Sequence, residues 1–167
     1  DGEIFGSEYF ETYRHNAFNC DFSNNGNYLA AGTSGKSIAM YSFEYSKFAP
    51  SYKGHSGRVL FVTFSPDGNY LASASKDETL KLWNVTSGNT ILTLKGHTND
   101  VNAAAFSPDS KYLASASDDE SVKIWDVKTT KLITTLSGFD VDVMTIKFSP
   151  DGKYLAPMMG RFGGRAT

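Results

Sequence analysis

A histidine, a serine and an aspartate occur twice in this sequence at the same spacing. The two sets are His55, Ser73, Asp77 and His97, Ser115, Asp119, and they lie 42 residues apart. These residue types form a hydrolytic triad, in which serine attacks the substrate, histidine takes its proton and aspartate orients the histidine. An enzyme needs this chemistry at one place, whereas a structural device is needed in every repeat. The repetition therefore favours a structural role, and we expect no catalytic residue.

The same spacing extends along most of the chain. Ser-Pro-Asp-Gly stands at 65–68 and 149–152, with Ser-Pro-Asp-Ser at 107–110 and Ser-Asn-Asn-Gly at 23–26. Tyr-Leu-Ala occurs at 28–30, 70–72, 112–114 and 154–156. A fixed period of this length indicates a protein built from repeats. The chain therefore contains four copies of the central part of one unit.

Each unit has the pattern of short strands separated by turns. In the second unit the β-rich segments are 59–64, 70–75, 80–84 and 90–94. In the turn Ser-Pro-Asp-Gly, Gly68 can adopt a positive φ without a Cβ clash, and Ser110 at the equivalent position predicts a less favourable turn. Strict alternation places Val59, Phe61 and Thr63 on one face of the first strand.

A four-stranded sheet of this kind has two apolar faces and needs a neighbour on each. Sheets that stack face to face around an axis supply those neighbours, as in a β-propeller with about 40–45 residues in each blade. The sequence therefore predicts an all-β propeller, or a partial arc of one, made of antiparallel four-stranded blades.

Several motifs agree at this one spacing. Gly-His stands at 54–55 and 96–97, Leu-Ala-Ser-Ala-Ser-x-Asp begins at 71 and 113, and Trp-Asp stands at 125–126. Together with the Ser-Pro-Asp-Gly turns, this set resembles the WD-repeat β-propeller family over residues 12–156. The pair Trp83-Asn84 is a mild departure from Trp-Asp.

The resemblance implies a hydrogen-bonded tetrad in each well-formed repeat, which ties a connecting loop to the sheet. The implied tetrads are His55, Ser73, Asp77, Trp83 and His97, Ser115, Asp119, Trp125. Because Ser75 and Ser117 share a face with the two assigned serines, the choice of serine stays open.

The end units depart from the pattern. In the first unit, Tyr13, Gly35 and Tyr41 stand where the histidine, the aspartate and the tryptophan are expected, so packing should hold this unit. In the last unit, Phe139 replaces the histidine. Pro157 falls in a second strand, which it should interrupt or confine to an edge because proline cannot donate a ladder hydrogen bond.

These signals divide the chain into six segments. They are an outer strand of a preceding or shared blade at 1–11, a degenerate repeat at 12–53, repeats at 54–95 and 96–137, a partial repeat at 138–157 and a divergent tail at 158–167. We expect three complete blades, a leading strand at 5–10, and trailing strands at 143–148 and 154–157. Such an arc leaves two apolar faces bare, so the native protein should be longer or pair with a second copy.

Composition excludes several classes of function. The net charge of −2 and the pI near 5.9 give no electrostatic reason to expect nucleic acid as a direct ligand. No apolar run is long enough to span a bilayer. Cys20 is the single cysteine, which excludes an internal disulfide and favours an intracellular location, cytoplasmic or nuclear. The histidines lie in different units and the run 118–120 lacks calcium-loop spacing, so we expect no metal and no cofactor.

The resemblance also implies where partners bind, since WD-repeat proteins usually meet them at loops around the channel. Three sets of equivalent positions fall at these loops, and we call each set a column. The first column is Phe18, Leu60, Asn102 and Met144, the second is Asn16, Arg58, Asp100 and Asp142, and the third is Lys76 and Asp118. These residues differ between repeats, whereas the motif residues of the strands and turns stay the same, although any one of them could be an ordinary solvated loop residue. Their mixed charges favour a protein or peptide over a polyanion.

We therefore expect a non-catalytic scaffold that binds proteins or peptides as a subunit of a multiprotein complex. The alternative is a structural segment that self-associates through exposed blade faces to complete a larger ring.

Overall fold

The computed structural model describes residues 15–160, and all of the regular structure in this range is β-strand. The strands are β1 (Ala17–Phe22), β2 (Tyr28–Thr33), β3 (Ser37–Ser42), β4 (Lys47–Lys53), β5 (Val59–Phe64), β6 (Tyr70–Ser75), β7 (Leu80–Asn84), β8 (Thr90–Leu94), β9 (Val101–Phe106), β10 (Tyr112–Ser117), β11 (Ser121–Asp126), β12 (Leu132–Leu136), β13 (Val143–Phe148) and β14 (Leu155–Met159). The leading strand predicted at 5–10 lies outside the described residues.

The strands form four antiparallel sheets in chain order. Sheet 1 is β1-β2-β3-β4, sheet 2 is β5-β6-β7-β8, sheet 3 is β9-β10-β11-β12, and sheet 4 is the pair β13-β14. The all-β fold of four-stranded antiparallel blades is confirmed. All four strands predicted for the second unit have the bounds that the structure gives to sheet 2.

The sheets pack face to face, with the first strand of each lying next to the first strand of the following sheet. These inner strands are β1, β5, β9 and β13. One apolar cluster fills each interface between neighbouring sheets. Leu80 and Leu82 of β7 face sheet 3, whereas Trp83 faces sheet 1, as period-2 alternation requires. Each sheet therefore covers the apolar face of the next one.

The predicted face of Val59 is wrong, because a β-bulge interrupts the alternation at the start of β5. Val59 pairs with Ser75 and Phe61 with Ala74, which leaves Leu60 without a pairing partner. The extra residue turns Val59 to the same side as Val62 and Phe64, and all three are buried in the cluster between sheets 1 and 2.

The Ser-Pro-Asp-Gly turns have the predicted conformation. Gly68 has a φ of 74°, and Ser110 adopts 59° at the equivalent position of sheet 3. Ser110 is strained there, but its hydroxyl accepts a hydrogen bond from the backbone N–H of Asp67 (3.1 Å), which links the turns of sheets 2 and 3. The serine that stands in place of the glycine of this turn therefore helps to join sheets 2 and 3.

Within residues 15–160, no strand pairs with the outer edge of β14. Pro157 lies within β14 opposite Ile146, and β14 continues through Met159, two residues past the predicted end of the partial repeat. Of the two outcomes expected for Pro157, the structure shows the edge position, since β14 is the last strand of sheet 4 among the described residues.

Two polar side chains of β1 reach across to sheet 2. The backbone N–H of Val62 donates to Asn19 Oδ1 (2.8 Å), and that of Phe64 donates to Asp21 Oδ2 (2.8 Å). Both N–H groups lie on the inner edge of sheet 2, where no other strand of residues 15–160 pairs with this side of β5. At the equivalent places sheet 2 has Phe61 and Thr63 and sheet 3 has Ala103 and Ala105, none of which carries an amide or a carboxylate. This polar clamp is specific to sheets 1 and 2.

The clamp can be tested by removing one acceptor. The substitution Asp21→Ala leaves the N–H of buried Phe64 without a partner, so the free energy of unfolding should fall by about 1–3 kcal/mol. Urea unfolding followed by circular dichroism measures this change. The control is Asn27→Ala in an exposed turn, and an equal loss in both variants would contradict the clamp.

Candidate functional site

The structure brings His55, Ser73, Asp77 and Trp83 together in sheet 2. His55 Nδ1 lies 2.8 Å from Asp77 Oδ2, and His55 Nε2 lies 2.7 Å from Ser73 Oγ. The indole N–H of Trp83 donates to the same Ser73 Oγ (2.8 Å). The network ties the loop before β5 to strands β6 and β7, and it selects Ser73 rather than Ser75.

Sheet 3 repeats this network with nearly the same distances. His97 Nδ1 lies 2.8 Å from Asp119 Oδ2, His97 Nε2 lies 2.7 Å from Ser115 Oγ, and the Trp125 N–H donates to that oxygen (3.1 Å). Because Ser115 Oγ already accepts from the indole, its hydroxyl can donate to Nε2 while Nδ1–H donates to Asp119. The donors therefore run in one direction, from tryptophan to serine to histidine to aspartate, with a neutral histidine.

The surroundings of the networks set their protonation. Burial lowers the pKa of His97, and it outweighs the hydrogen bond and the charge of Asp119, which act the other way. Burial alone would raise the pKa of Asp77 and of Asp119, but hydrogen bonds from the histidine and from Thr79 or Ser121 lower both. The two carboxylates are therefore ionised at neutral pH while His97 stays uncharged.

Neither serine is placed to attack a substrate. Ser73 and Ser115 are fully buried, and each hydroxyl oxygen is occupied by an indole N–H. A nucleophile must reach its substrate, so this arrangement does not perform the triad chemistry of a hydrolase. The geometry is that of a structural device.

Sheet 1 holds its loop in a different way. Ala31 stands at the position of Ser73, so the serine of a tetrad is missing as well as the aspartate and the tryptophan. The ring of His15 lies against Gly35, where a Cβ would approach within 2.3 Å of the imidazole. Tyr13 lies outside the described residues. In sheet 4, Pro157 takes the serine position and Phe139 packs against the apolar cluster shared with sheet 3.

The three predicted columns meet at the end of the sheets where the inner strands begin, which we call the entry end. One backbone hydrogen bond closes this end in every sheet: Ser34 N–H to Asn16 O (2.9 Å), Lys76 to Arg58 (3.0 Å), Asp118 to Asp100 (3.0 Å) and Gly160 to Asp142 (3.1 Å). The second and third columns are therefore adjacent in sheets 2 and 3, where the third column has its two residues.

Every residue of the first column is the bulged residue of its inner strand. Phe18, Leu60, Asn102 and Met144 each lie where the pairing register shifts by one. A bulge redirects its side chain away from the regular pleat, which is a common device next to binding sites. The spacing of the repeats predicts the positions of this column but not the bulges, because a bulge has no signature in period-2 alternation.

Contacts between residues of different columns leave fewer charged side chains free to pair with a partner. Lys76 pairs with Asp100 of the next sheet, and the amide of Asn102 donates to Asp118. The same amide donates to the carbonyl oxygen of Val143 (3.1 Å), which joins sheets 3 and 4. Within the part of the chain that the structure describes, Arg58 and Asp142 have no ion pair.

Two further observations concern the same range. No three histidine, cysteine, aspartate or glutamate side chains within residues 15–160 are grouped so that they could hold a metal ion. Nor does this range contain a helix with the length and apolar character needed to cross a membrane.

Radially packed four-stranded sheets, two of them tied by a Trp–Ser–His–Asp network, define a β-propeller repeat protein. The family model described as "WD domain, G-beta repeat" matches residues 46–84, 88–126 and 130–156, which together cover more than half of the chain. The chain belongs to the WD-repeat family.

Among solved structures, the chain is similar to one titled "Structure of U3-55K", with 26% sequence identity and a TM-score of 0.77. The match covers 81% of this chain and 43% of that one, so this chain spans less than half of the structure that it resembles. No match is found among curated proteins.

The matched repeats are offset from the sheets. Residues 46–84 contain β4 of sheet 1 and the first three strands of sheet 2, and residues 88–126 contain β8 of sheet 2 and the first three strands of sheet 3. Each matched repeat therefore contributes strands to two sheets.

The tetrad in sheet 3 makes a pH-dependent prediction. The substitution His97→Ala should lower the free energy of unfolding by about 2 kcal/mol at pH 7.5, because buried Ser115 and Asp119 lose their partner. Since the folded state lowers the pKa of His97 below 6.5, its stabilisation is complete above pH 6.5 and is lost as the pH falls below that value. The difference between wild type and variant should therefore shrink towards pH 5.

Urea unfolding at a series of pH values measures this difference. The control is Lys131→Ala, which removes an exposed side chain beside β12 of the same sheet and should change stability little. A pH-independent difference between wild type and His97→Ala would show that the titration of His97 does not contribute.

Proposed function

We propose that this chain is a scaffold segment that binds a protein or peptide at its entry end. WD-repeat domains generally serve as scaffolds for protein–protein interactions, and the chain has three matched repeats. The observation that carries the proposal is the convergence of the three columns at one end of the inner strands. The residues there differ from sheet to sheet, whereas the backbone bond that closes the end is the same in all four.

The charges of the entry end suggest the chemistry of its partner. Lys76 and Asp100 neutralise each other, so the remaining charges are Arg58 at sheet 2 and the acidic pair Asp118 and Asp142 at sheets 3 and 4. A partner with an acidic group over sheet 2 and a basic group over sheets 3 and 4 would complement this surface. Half-buried Leu60 and Met144 supply apolar contacts between the charges.

The contact residues of the entry end are held in fixed positions by the strands and by hydrogen bonds. Leu60 and Asn102 are held by bulges in strands whose faces are buried, and Asn102 is further fixed by Asp118 and by the carbonyl of Val143. Side chains that are already ordered lose little conformational entropy when a partner docks. The scaffold therefore contributes to affinity by holding its contact residues in place.

The proposal is tested by a triple variant of the entry end, Leu60→Ala with Asp118→Asn and Asp142→Asn. Partners that dock there should bind about tenfold more weakly or be lost, because contact residues at the centre of an interface dominate its energy. Capture experiments with quantitative mass spectrometry, followed by titration of each purified partner, measure the effect.

A matched control carries Ile91→Ala with Asp109→Asn and Asp151→Asn, which removes one exposed apolar residue and two exposed carboxylates away from the entry end. Both variants must first show the wild-type circular dichroism spectrum. If both retain the same partners with the same affinity, the entry end is not the binding surface.

A second candidate function is self-association through sheet 4. Within residues 15–160, sheet 4 has two strands where the other sheets have four. It exposes Tyr154 (72%) next to the edge strand β14 and Met158 (64%) within it. An edge strand with exposed apolar neighbours can pair with another chain.

Light scattering distinguishes this candidate from a monomeric scaffold. Self-association predicts about twice the chain mass of 18.2 kDa, and Met158→Lys should return the protein to a monomer. The control Ile91→Lys places the same charge on an exposed residue of β8 and should leave the dimer intact. A wild-type protein that is monomeric at all concentrations would reject the candidate.

A further inference from the structure

A groove lies between sheets 1 and 2, away from the entry end. Its walls are the outer strands β3 and β4 of sheet 1 and the turn from Val85 to Gly88 in sheet 2, and its volume is about 370 Å³. This volume falls within the range of small-ligand sites in proteins. Buried Met40, Tyr52 and Val85 form the floor, whereas Tyr45 is exposed at the rim. The groove therefore has an apolar floor and an open, polar rim.

One wall of the groove is held by a fixed contact. The hydroxyl of Tyr52 donates to the carbonyl oxygen of Val85 (2.7 Å), and burial raises the pKa of Tyr52 to about 12, so the hydroxyl remains a donor at neutral pH. Gly88 lies so close to the Tyr52 ring that a Cβ there would be 2.8 Å from it, and its φ is 69°. The turn and the ring therefore maintain the shape of the groove.

The groove contains a polar group without a partner. Ser42 is 3% exposed and lines the groove, and its hydroxyl is the one buried side-chain oxygen or nitrogen in residues 15–160 that makes no hydrogen bond. A buried hydroxyl that makes no hydrogen bond destabilises the folded protein. A ligand that bonded to this hydroxyl would remove that penalty.

The residues at the equivalent position of sheets 2 and 3 make a hydrogen bond that Ser42 does not make. Ser42 pairs with Tyr28 as Asn84 pairs with Tyr70 and Asp126 with Tyr112. Both of the longer side chains cap the turn that follows them: Asn84 accepts from Ser87 N–H (2.8 Å) and Asp126 from Thr129 N–H (2.6 Å). The side chain of Ser42 makes no such bond.

The positive charge at the rim of the groove favours a ligand that carries a negative charge. Of the described residues that line the groove, Lys47 is the one with a charged side chain, and its ammonium lies 5.4 Å from the centre of the Tyr45 ring. A carboxylate on the ligand would complement this cation. The floor would accept a large apolar side chain, and Ser42 would bond to a backbone group beside it.

We propose that the groove is a peptide-binding site for a short segment in which a large apolar residue lies next to an acidic one. The site is separate from the entry end, so it adds a second docking position to the scaffold. The apolar side chain fills the space over Met40, the hydroxyl of Ser42 bonds to the peptide backbone, and Lys47 pairs with the carboxylate.

The probes are three capped dipeptides, acetyl-Phe-Asp-amide, acetyl-Ala-Asp-amide and acetyl-Phe-Asn-amide, titrated into the full chain and followed by amide chemical shifts in NMR spectra. The Phe-Asp probe should shift the amides of Ser42, Lys47 and Gly88. The Ala-Asp probe should bind about tenfold more weakly and the Phe-Asn probe about threefold more weakly.

Two substitutions separate this site from an ordinary surface depression. Ser42→Ala should weaken the Phe-Asp probe about three- to tenfold, yet raise the melting temperature of the free protein because it removes the unbonded hydroxyl. Lys47→Glu should reverse the preference, so that acetyl-Phe-Lys-amide binds better than acetyl-Phe-Asp-amide. The matched controls are Ser46→Ala, in the turn after Ser42, and Lys53→Glu, at the far end of β4.

The proposal is overturned if the probe shifts no amide of the groove, or shifts only those of the entry end. It is also overturned if Ser42→Ala leaves the affinity unchanged or lowers the melting temperature, since the hydroxyl would then be bonded in the free protein. A triple variant of the entry end should bind the Phe-Asp probe like the wild type, so failure of one site does not decide the other.

Discussion

The burial of each sheet face against the next is the interaction on which the rest of this structure depends. Leu80 and Leu82 are removed from water by sheet 3, while Trp83 on the opposite face is covered by sheet 1. Burying an aliphatic side chain of this size stabilises a fold by about 1.5–3 kcal/mol, so a sheet without neighbours would lose most of its core. The hydrogen-bonded networks and the ordered ends of the inner strands exist because this packing holds the sheets in a fixed radial order.

Much of this arrangement can be predicted from the sequence, because the repeat marks equivalent positions before any contact is known. The strands of sheet 2, the left-handed turn residue Ser110 and the edge position of Pro157 follow from local chemistry. The bulge at Leu60 does not, because the unpaired residue depends on which partner strand lies opposite. For the same reason alternation fails at Val59, which turns inward with Val62.

Contacts between sheets are the other part that the sequence does not reveal. Asn19 and Asp21 are unremarkable in a turn-rich chain, and only the packing of β1 against β5 shows that they satisfy two backbone N–H groups. Sheet 1 lacks the serine, the aspartate and the tryptophan of a tetrad, and it is joined to sheet 2 by a clamp whose acceptor side chains have no equivalent in β5 or β9. The same holds for Ser42. Its unbonded hydroxyl is recognised only when it is compared with Asn84 and Asp126, whose side chains accept a hydrogen bond from the turn that follows them.

The offset between matched repeats and sheets has a consequence for how such a chain can grow. Since residues 46–84 carry the last strand of one sheet and the first three of the next, consecutive repeats are joined by a shared ladder of backbone hydrogen bonds. A gene duplication that copied one repeat would supply one strand to the sheet before it and three strands to the sheet after it, and the neighbouring repeats would supply the remaining strands. The arc could therefore lengthen by whole blades without the evolution of a new interface.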